Sequence, residues 1–157
     1  MAIPKEGAKA PQFTLMASNG KEVSLKDYEK KSRIVLYFYP KDDTPGCTVE
    51  ACGFRDGIKK IEKLDAVVLG VSPDPVKAHN KFIEKFKLPF LLLADEEKEV
   101  CKAYGVWVKK SMYGREYMGV ARTTFIIGKD GKIEKIYEKV KPAEHTDEVL
   151  EFLSSNA

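Results

Sequence analysis

One cysteine of this chain stands where a reactive thiol is expected. Cys47 follows Thr44, Pro45 and Gly46, and before them residues 33–39 form an apolar run with strong strand propensity. Thr44 suits the N-cap of a helix, and Pro45 suits its first helical position. Cys47 is therefore predicted to lie in the first turn of a helix, where free backbone N–H groups and the positive end of the helix dipole stabilise a thiolate. The pattern indicates a nucleophilic cysteine.

Two interior strands and a long helix are predicted to position this cysteine. Residues 33–39 and 66–72 are apolar on both faces, which is typical of central strands covered by helices on both sides. A helix is expected between them over residues 44–64, because apolar side chains recur there at helical spacing. Those side chains are Phe54, Ile58, Ile61 and Leu64.

The remaining elements complete an α/β pattern. They comprise a hairpin of residues 12–16 and 21–25, a short helix over 24–28, a helix with its apolar stripe at 76–86, a strand at 90–93, a helix over 95–104, a hairpin of 123–127 and 132–137 around the turn KDG, and a last helix carrying Val149, Leu150, Phe152 and Leu153. This order predicts a thioredoxin-like fold in one domain spanning residues 1–157, with a central mixed β-sheet flanked by helices on both faces.

Composition excludes several classes of protein. The net charge of +3 is small and the lysines are interspersed with acidic residues, so no nucleic-acid-binding stripe is expected. No segment is long and apolar enough to cross a membrane, and the first residues lack the apolar core of a signal peptide. An odd number of three cysteines does not suit a secreted disulfide framework. These features indicate a cytoplasmic protein, with an organelle sequence removed before residue 1 as the alternative.

The residues around Cys47 resemble a known family. The string PKDDTPGC at residues 40–47 matches the Pro-x-x-x-Thr-x-x-Cys signature of peroxiredoxins. The continuation TVEAC at 48–52 is similar to the bacterioferritin-comigratory-protein (BCP/PrxQ) subfamily, in which a second cysteine lies five residues after the first. The resemblance covers nearly the whole chain and includes APQFTL at 10–15, YGVW at 104–107, YGREYMG at 113–119 and RTTFII at 122–127.

The resemblance implies a thiol peroxidase that reduces hydrogen peroxide and organic hydroperoxides. Cys47 is expected to be the peroxidatic nucleophile, forming a sulfenic acid. Arg122 matches the active-site arginine of the family, and with Thr44 and the backbone at Gly46 it is expected to hold the peroxide oxygens where charge develops. Pro40 is expected to shield the thiolate from water. None of these roles requires a metal or an organic cofactor.

The resemblance also implies that Cys52 is the resolving cysteine and forms an intramolecular disulfide with Cys47. Five residues along an ideal helix place two Cα atoms about 8.7 Å apart. A disulfide needs roughly 4.4–6.8 Å. The first turns of the helix are therefore expected to unwind after oxidation, aided by the low helix propensity of Gly46 and Gly53.

The family also implies partners. The exposed disulfide is expected to be reduced by thioredoxin or a similar dithiol protein, so that the enzyme serves antioxidant defence and redox homeostasis. The resemblance favours a monomer, and a dimer stays open.

Plain structural roles compete with several of these assignments. Cys101 has no motif around it and is expected to be a core residue. Glu50 either orients Arg122 or simply occupies an early helical turn, and Asp42 and Asp43 are expected to be solvated loop acids. Thr44 could act as a helix cap, as a peroxide ligand or as both. Trp107 is expected to serve packing.

Two other functions are weighed against a peroxidase. A metal site would have to use the three cysteines with His79 and His145, but the two histidines lack the short paired spacing of zinc ligands. A thiol–disulfide oxidoreductase of the same fold usually carries Cys-x-x-Cys, which this chain lacks.

Overall fold

The computed structural model describes residues 3–156. Along the chain lie β1 (Thr14–Ala17), β2 (Glu22–Ser24), a short 3₁₀ helix (Leu25–Asp27), β3 (Arg33–Phe38), α1 (Pro45–Lys63), β4 (Ala66–Ser72), α2 (Val76–Phe86), β5 (Leu91–Ala94), α3 (Glu99–Ala103), β6 (Trp107–Met112), β7 (Arg115–Val120), β8 (Thr123–Ile127), β9 (Ile133–Tyr137) and α4 (Pro142–Ser155).

Seven of the strands form one mixed sheet in the order β2-β1-β5-β4-β3-β8-β9. Strands β3, β4 and β5 are parallel to one another, and β8 pairs antiparallel with β3. All six residues of β3 are buried, as the sequence predicts for a strand whose side chains are apolar on both faces. At its carboxyl end, β3 leads into the loop that precedes α1.

The side chains of β3 alternate between two apolar clusters, one on each face of the sheet. Val35 and Tyr37 pack among the side chains of α1, α2 and α4. Ile34 and Leu36 pack on the opposite face against α3 and the chain that follows it. This mixed sheet with helices on both faces confirms the predicted architecture. None of the helices within residues 3–156 is long and apolar enough to span a bilayer.

The helix predicted over residues 95–104 is shorter than expected, since α3 covers only Glu99–Ala103. Lys98 adopts a left-handed conformation with φ of +61°, which breaks helical geometry just before α3. Asp95 lies outside the helix, and its carboxylate accepts hydrogen bonds from the backbone N–H groups of Val100 at 3.3 Å and Cys101 at 2.8 Å. Asp95 therefore stabilises the start of α3 from across a turn.

A third hairpin, formed by β6 and β7, is absent from the predicted elements. The two strands pair from Trp107 opposite Val120 to Met112 opposite Arg115 and form a separate two-stranded sheet. Tyr113 and Gly114 connect them, both with positive φ, which suits a tight hairpin turn. The hairpin ends at Val120, two residues before Arg122, and so leads into the candidate active site.

Candidate active site

Cys47 lies where the sequence predicts, in the first turn of a helix that follows the central strand β3. Thr44 is the N-cap of α1 and Pro45 its first residue. The Cys47 side chain is buried and packs in the apolar cluster beneath α1. All three cysteines, Cys47, Cys52 and Cys101, are free thiols. The free N–H groups of the first turn are thus close to a protected, reduced sulfur atom.

Arg122 reaches Cys47 from the connection between β7 and β8. Its Nη2 donates to the Cys47 Sγ at 3.4 Å. The backbone on both sides of the arginine is fixed, because the N–H of Ala121 donates to Val106 O and the N–H of Val140 donates to Arg122 O. The structure therefore places a permanent positive charge against the Cys47 sulfur.

Gly46 makes room for this arginine. A Cβ atom at residue 46 would lie 3.1 Å from Arg122 Nη2 and 3.8 Å from Pro142 Cγ at the start of α4. A side chain here would push the guanidinium away from the first turn of α1. The glycine therefore has a steric role in addition to the low helix propensity that the sequence suggests.

Glu50 lies one turn beyond Cys47 and pairs with Arg122. Its Oε1 accepts from Arg122 Nη1 at 2.8 Å, so the sequence hypothesis that it orients the arginine fits this geometry. The Glu50 side chain has no exposed surface. Burial raises the pKa of Glu50 to about 7, although the charge and hydrogen bond of Arg122 oppose this rise. Its Oε2 has no hydrogen-bond partner within residues 3–156.

Thr44 and Pro40 flank the loop in front of α1, and both side chains are partly exposed. The Thr44 hydroxyl donates to Lys41 O at 2.9 Å and makes no capping bond to the helix. Thr44 thus occupies the N-cap position without using its side chain as a cap.

Cys52 lies five residues farther along the same intact helix and is half-buried. It lines a groove between α1 and α4 with Pro142, Thr146 and Leu150. Beside it, Gly53 permits close packing of the two helices, because a Cβ there would lie 2.6 Å from Thr146 Oγ1. The helical geometry that separates the two sulfur atoms is present, so their joining requires a change in α1.

Cys101 is fully buried in the core on the other face of the sheet, as its plain sequence context predicts. Burial, together with the neighbouring Asp95 carboxylate, raises the pKa of the Cys101 thiol well above its ordinary value. Such a thiol is a poor nucleophile. Trp107 is half-buried in β6, where its ring packs against the apolar cluster of that face.

The prediction that Asp42 is a solvated loop acid is wrong. Asp42 is buried, and its carboxylate accepts from the Tyr39 hydroxyl and lies 2.6 Å from His79 Nδ1. Asp43 is exposed as expected and pairs with Lys85. An aspartate four residues after the end of a buried strand resembles an ordinary loop acid in sequence, and only its contact with α2 reveals the difference.

The second histidine is also buried and hydrogen-bonded. His145 Nε2 lies 2.7 Å from Thr124 Oγ1, and its Nδ1 lies 2.7 Å from Glu148 Oε1. Burial lowers the pKa of His145. In the part of the chain that the structure describes, no three side chains of His, Cys, Asp or Glu type come together as a metal site.

Lys110 on β6 is a further charged residue near the site that sequence reasoning missed. It lies opposite Tyr117 in the β6–β7 hairpin, and its side chain packs over Gly119. Burial and the positive charge of Arg122 lower the pKa of Lys110, while Cys47 opposes this effect. No local pattern distinguishes this lysine from the other lysines of the chain.

Comparison with known proteins shows the family to which the chain belongs. The chain matches the AhpC/TSA family over residues 7–136. It is 52% identical to Peroxiredoxin Bcp of Bacillus subtilis, over 94% of this chain and 93% of that protein, and 44% identical to Peroxiredoxin Bcp of Escherichia coli K12, over 98% and 97%.

Solved structures give the same result. A cysteine-to-serine mutant of PrxQ from Xylella fastidiosa superposes with a TM-score of 0.93 at 36% identity, covering 99% of both chains. Bacterioferritin comigratory protein of Xanthomonas campestris superposes with a TM-score of 0.87 at 37% identity, covering 92% of this chain and 90% of that one. The chain therefore belongs to the AhpC/TSA family and is a thioredoxin-fold peroxiredoxin of the BCP/PrxQ type, a thiol peroxidase.

Proposed function

We propose that this peroxiredoxin reduces hydrogen peroxide and organic hydroperoxides through Cys47, resolves the product with Cys52 and is recycled by thioredoxin or a similar dithiol protein. The contact between Arg122 Nη2 and Cys47 Sγ at 3.4 Å, at the start of α1, is the observation that carries the proposal. The related protein from Xanthomonas campestris is described in terms of alkyl peroxide reduction, which supports organic hydroperoxides as substrates.

In the first step the Cys47 thiolate attacks one oxygen of the peroxide. The S–O bond forms as the O–O bond breaks, and the leaving oxygen takes a proton to become water or an alcohol. Arg122 and the N–H groups of the first turn at Gly46 are the donors available to the oxygens as charge develops. The Thr44 hydroxyl becomes a further donor if it releases Lys41 O, to which it donates in this structure. Cys47 is left as a sulfenic acid.

In the second step the Cys52 thiolate attacks the sulfur of the sulfenic acid. The disulfide forms and the hydroxyl leaves as water after taking a proton. Because both cysteines lie in the intact helix α1, this step requires its first turns to unwind. A dithiol protein then reduces the disulfide by exchange and restores both thiols.

Glu50 keeps Arg122 in place through the 2.8 Å contact to Nη1, while Nη2 faces the sulfur. We propose that Pro40 limits access of water to this small pocket. The chain is proposed to act as a monomer, which light scattering of the reduced and the oxidised protein tests directly.

The function is tested by peroxide consumption and by a peptide map. The reduced protein, with catalytic thioredoxin, thioredoxin reductase and NADPH, is expected to consume hydrogen peroxide and an alkyl hydroperoxide. After one equivalent of peroxide, mass spectrometry should find a disulfide between Cys47 and Cys52, with Cys101 still a thiol. A lasting Cys47 sulfenic acid would make it a one-cysteine enzyme, and a bond to Cys101 would move the resolving role. Absence of peroxide consumption would contradict the proposal.

A further inference from the structure

A chain of buried hydrogen bonds lies beneath the loop that leads into α1, and the peroxidase steps above do not use it. The Tyr39 hydroxyl donates to Asp42 Oδ1 at 2.5 Å, and Asp42 Oδ2 lies 2.6 Å from His79 Nδ1. On the far side of the ring, His79 Nε2 donates to Leu93 O at 2.9 Å. These hydrogen bonds thus connect the end of β3, the loop, α2 and β5.

Every polar side-chain atom of Tyr39, Asp42 and His79 has a hydrogen-bond partner. The Leu93 oxygen is a carbonyl that only accepts, so His79 Nε2 carries a proton. His79 Nδ1 is hydrogen-bonded to one oxygen of the Asp42 carboxylate, and the other oxygen accepts from Tyr39. His79 and Tyr39 are fully buried and Asp42 is nearly so. Satisfied networks of this kind hold one geometry, because any displacement leaves a buried polar group without its partner.

The loop is held at a second point through its backbone. The N–H of Asp42 donates to Asp74 Oδ2 at 2.8 Å, and the Ser72 hydroxyl donates to the same oxygen at 2.7 Å. The ion pair of Asp43 and Lys85 adds a contact on the surface, where such pairs contribute little. Asp42 is therefore the residue through which loop 40–44 is attached to the segment between β4 and α2.

Pro40 and Thr44 are the two ends of this loop, and Cys47 follows in the next turn. A shift of Asp42 would move Thr44 and the N-terminus of α1, where Cys47 lies in the first turn. We propose that Asp42 and His79 are positioning residues: they lock loop 40–44 in the conformation that reacts with peroxide, and α1 unwinds for disulfide formation when this lock opens. The inference rests on the proposed function and adds residues from α2 to it.

In the two lock variants, Asp42→Ala and His79→Ala, two rate constants are expected to change in opposite directions. With Asp42→Ala or His79→Ala, the reaction of Cys47 with peroxide is expected to slow by about tenfold or more, because the donors around the sulfur lose their alignment. Conversion of the sulfenic acid to the disulfide is expected to become faster, and over-oxidation by excess peroxide to decrease. Stopped-flow fluorescence resolves the two phases, and mass spectrometry measures the sulfinic acid.

Two conservative variants separate the hydrogen bonds from the charge. In Asp42→Asn the amide oxygen can accept from Tyr39 and the amide nitrogen can donate to a neutral His79, so this variant is expected to recover most of the lost peroxide reactivity. In His79→Asn the shorter side chain can reach Asp42 but not Leu93, so an intermediate effect is expected. Should an alanine variant fail to fold, these two carry the test.

Val100→Ala provides the matched control. Val100 is buried in α3 on the opposite face of the sheet, so its truncation lowers stability without touching the loop. It is expected to leave the ratio of the two rate constants unchanged at a comparable loss of thermal stability. Hydrogen exchange of the reduced proteins gives a readout independent of activity, with faster exchange at residues 41–48 expected only in the lock variants.

The outcomes test the positioning role of Asp42 and His79 separately from the proposed peroxidase function. If the wild type consumes peroxide but the lock variants keep both rate constants and the exchange pattern, the lock is refuted and the peroxidase stands. The same holds if Val100→Ala changes the ratio as much as Asp42→Ala does. If the wild type itself consumes no peroxide, the proposed function fails, and hydrogen exchange alone still decides whether Asp42 and His79 hold the loop.

Discussion

Arg122 Nη2 lies 3.4 Å from Cys47 Sγ, although 75 residues separate the two along the chain. The same guanidinium donates through Nη1 to Glu50, one turn farther along α1. The arginine thus contacts both the Cys47 thiol and a buried carboxylate.

Replacing Arg122 with Gln is expected to lower the second-order rate constant for hydrogen peroxide by about 100-fold, the usual effect of removing one donor that stabilises developing charge. Arg122→Lys keeps a positive charge but cannot contact Cys47 and Glu50 together, so it should recover only part of the loss. Competition against a reference peroxidase measures both constants. An equal rate for Arg122→Gln and the wild type would show that the contact does not assist the reaction.

The buried Glu50 makes stability depend on pH. Its pKa rises in the folded protein from 4.5 to about 7, so the folded state binds this proton more tightly than the unfolded state does. The tighter binding of this proton therefore adds to the free energy of unfolding below pH 4.5, and this contribution is lost as the pH rises towards 7. The loss amounts to about 3 kcal/mol over this range.

Glu50→Gln removes the titration and should abolish this component. Urea unfolding of the reduced wild type and variant between pH 5 and pH 8 measures the difference in unfolding free energy. The wild type is expected to lose stability relative to Glu50→Gln as the pH rises, and parallel curves would contradict the prediction. Glu144→Gln, an exposed position in the first turn of α4, serves as the control for removing one carboxylate.

Cys52→Ser is expected to keep the first reaction with peroxide but to leave Cys47 as a sulfenic acid. Without the nearby thiol, excess peroxide should convert Cys47 to the sulfinic acid, and turnover with thioredoxin should cease. Intact-mass spectrometry follows the oxygen additions. Cys101→Ser is the control, since Cys101 lies on the other face of the sheet. An intramolecular disulfide in Cys52→Ser would assign the resolving role to Cys101.

Gly53→Ala is expected to destabilise the protein, although alanine favours helices by about 1 kcal/mol over glycine. The added Cβ would lie 2.6 Å from Thr146 Oγ1, and rotation of that side chain is restricted because its Cγ2 already packs against Gly57. Over-packing of this kind typically costs about 1–3 kcal/mol.

Thr146→Ala should relieve the clash, so that the double variant is more stable than Gly53→Ala alone. A double-mutant cycle from thermal unfolding of the reduced proteins measures this coupling. Additive effects of the two substitutions would show that α1 and α4 do not meet closely at Gly53.

Much of the secondary structure could be predicted from the sequence, because short segments carry their own strand, turn and helix signals. Local periodicity predicts the two central strands and the strands of the hairpin β1–β2. The KDG turn predicts the hairpin β8–β9, and the Thr-Pro helix start predicts that Cys47 lies at the start of α1. These signals are local because strand, turn and helix-cap preferences depend on neighbouring residues.

Two other parts of the fold were not predicted from the periodicity of the sequence. Lys98 enters a left-handed conformation and Asp95 contacts α3 from outside it, which shortened the predicted helix. The β6–β7 hairpin carries exposed lysines and aromatic residues without a clear alternating pattern, so its pairing was not visible in the sequence.

The site divides in the same way. Sequence determined that Cys47 lies in the first turn of a helix, because the signals from Thr44 and Pro45 act within one turn of chain. Only the tertiary structure decided that Asp42 is buried against His79, 37 residues away, and that Glu50 shares Arg122 with the thiol. The physical reason is that burial and ion pairing are properties of side chains brought together by the whole fold, and no local propensity encodes them.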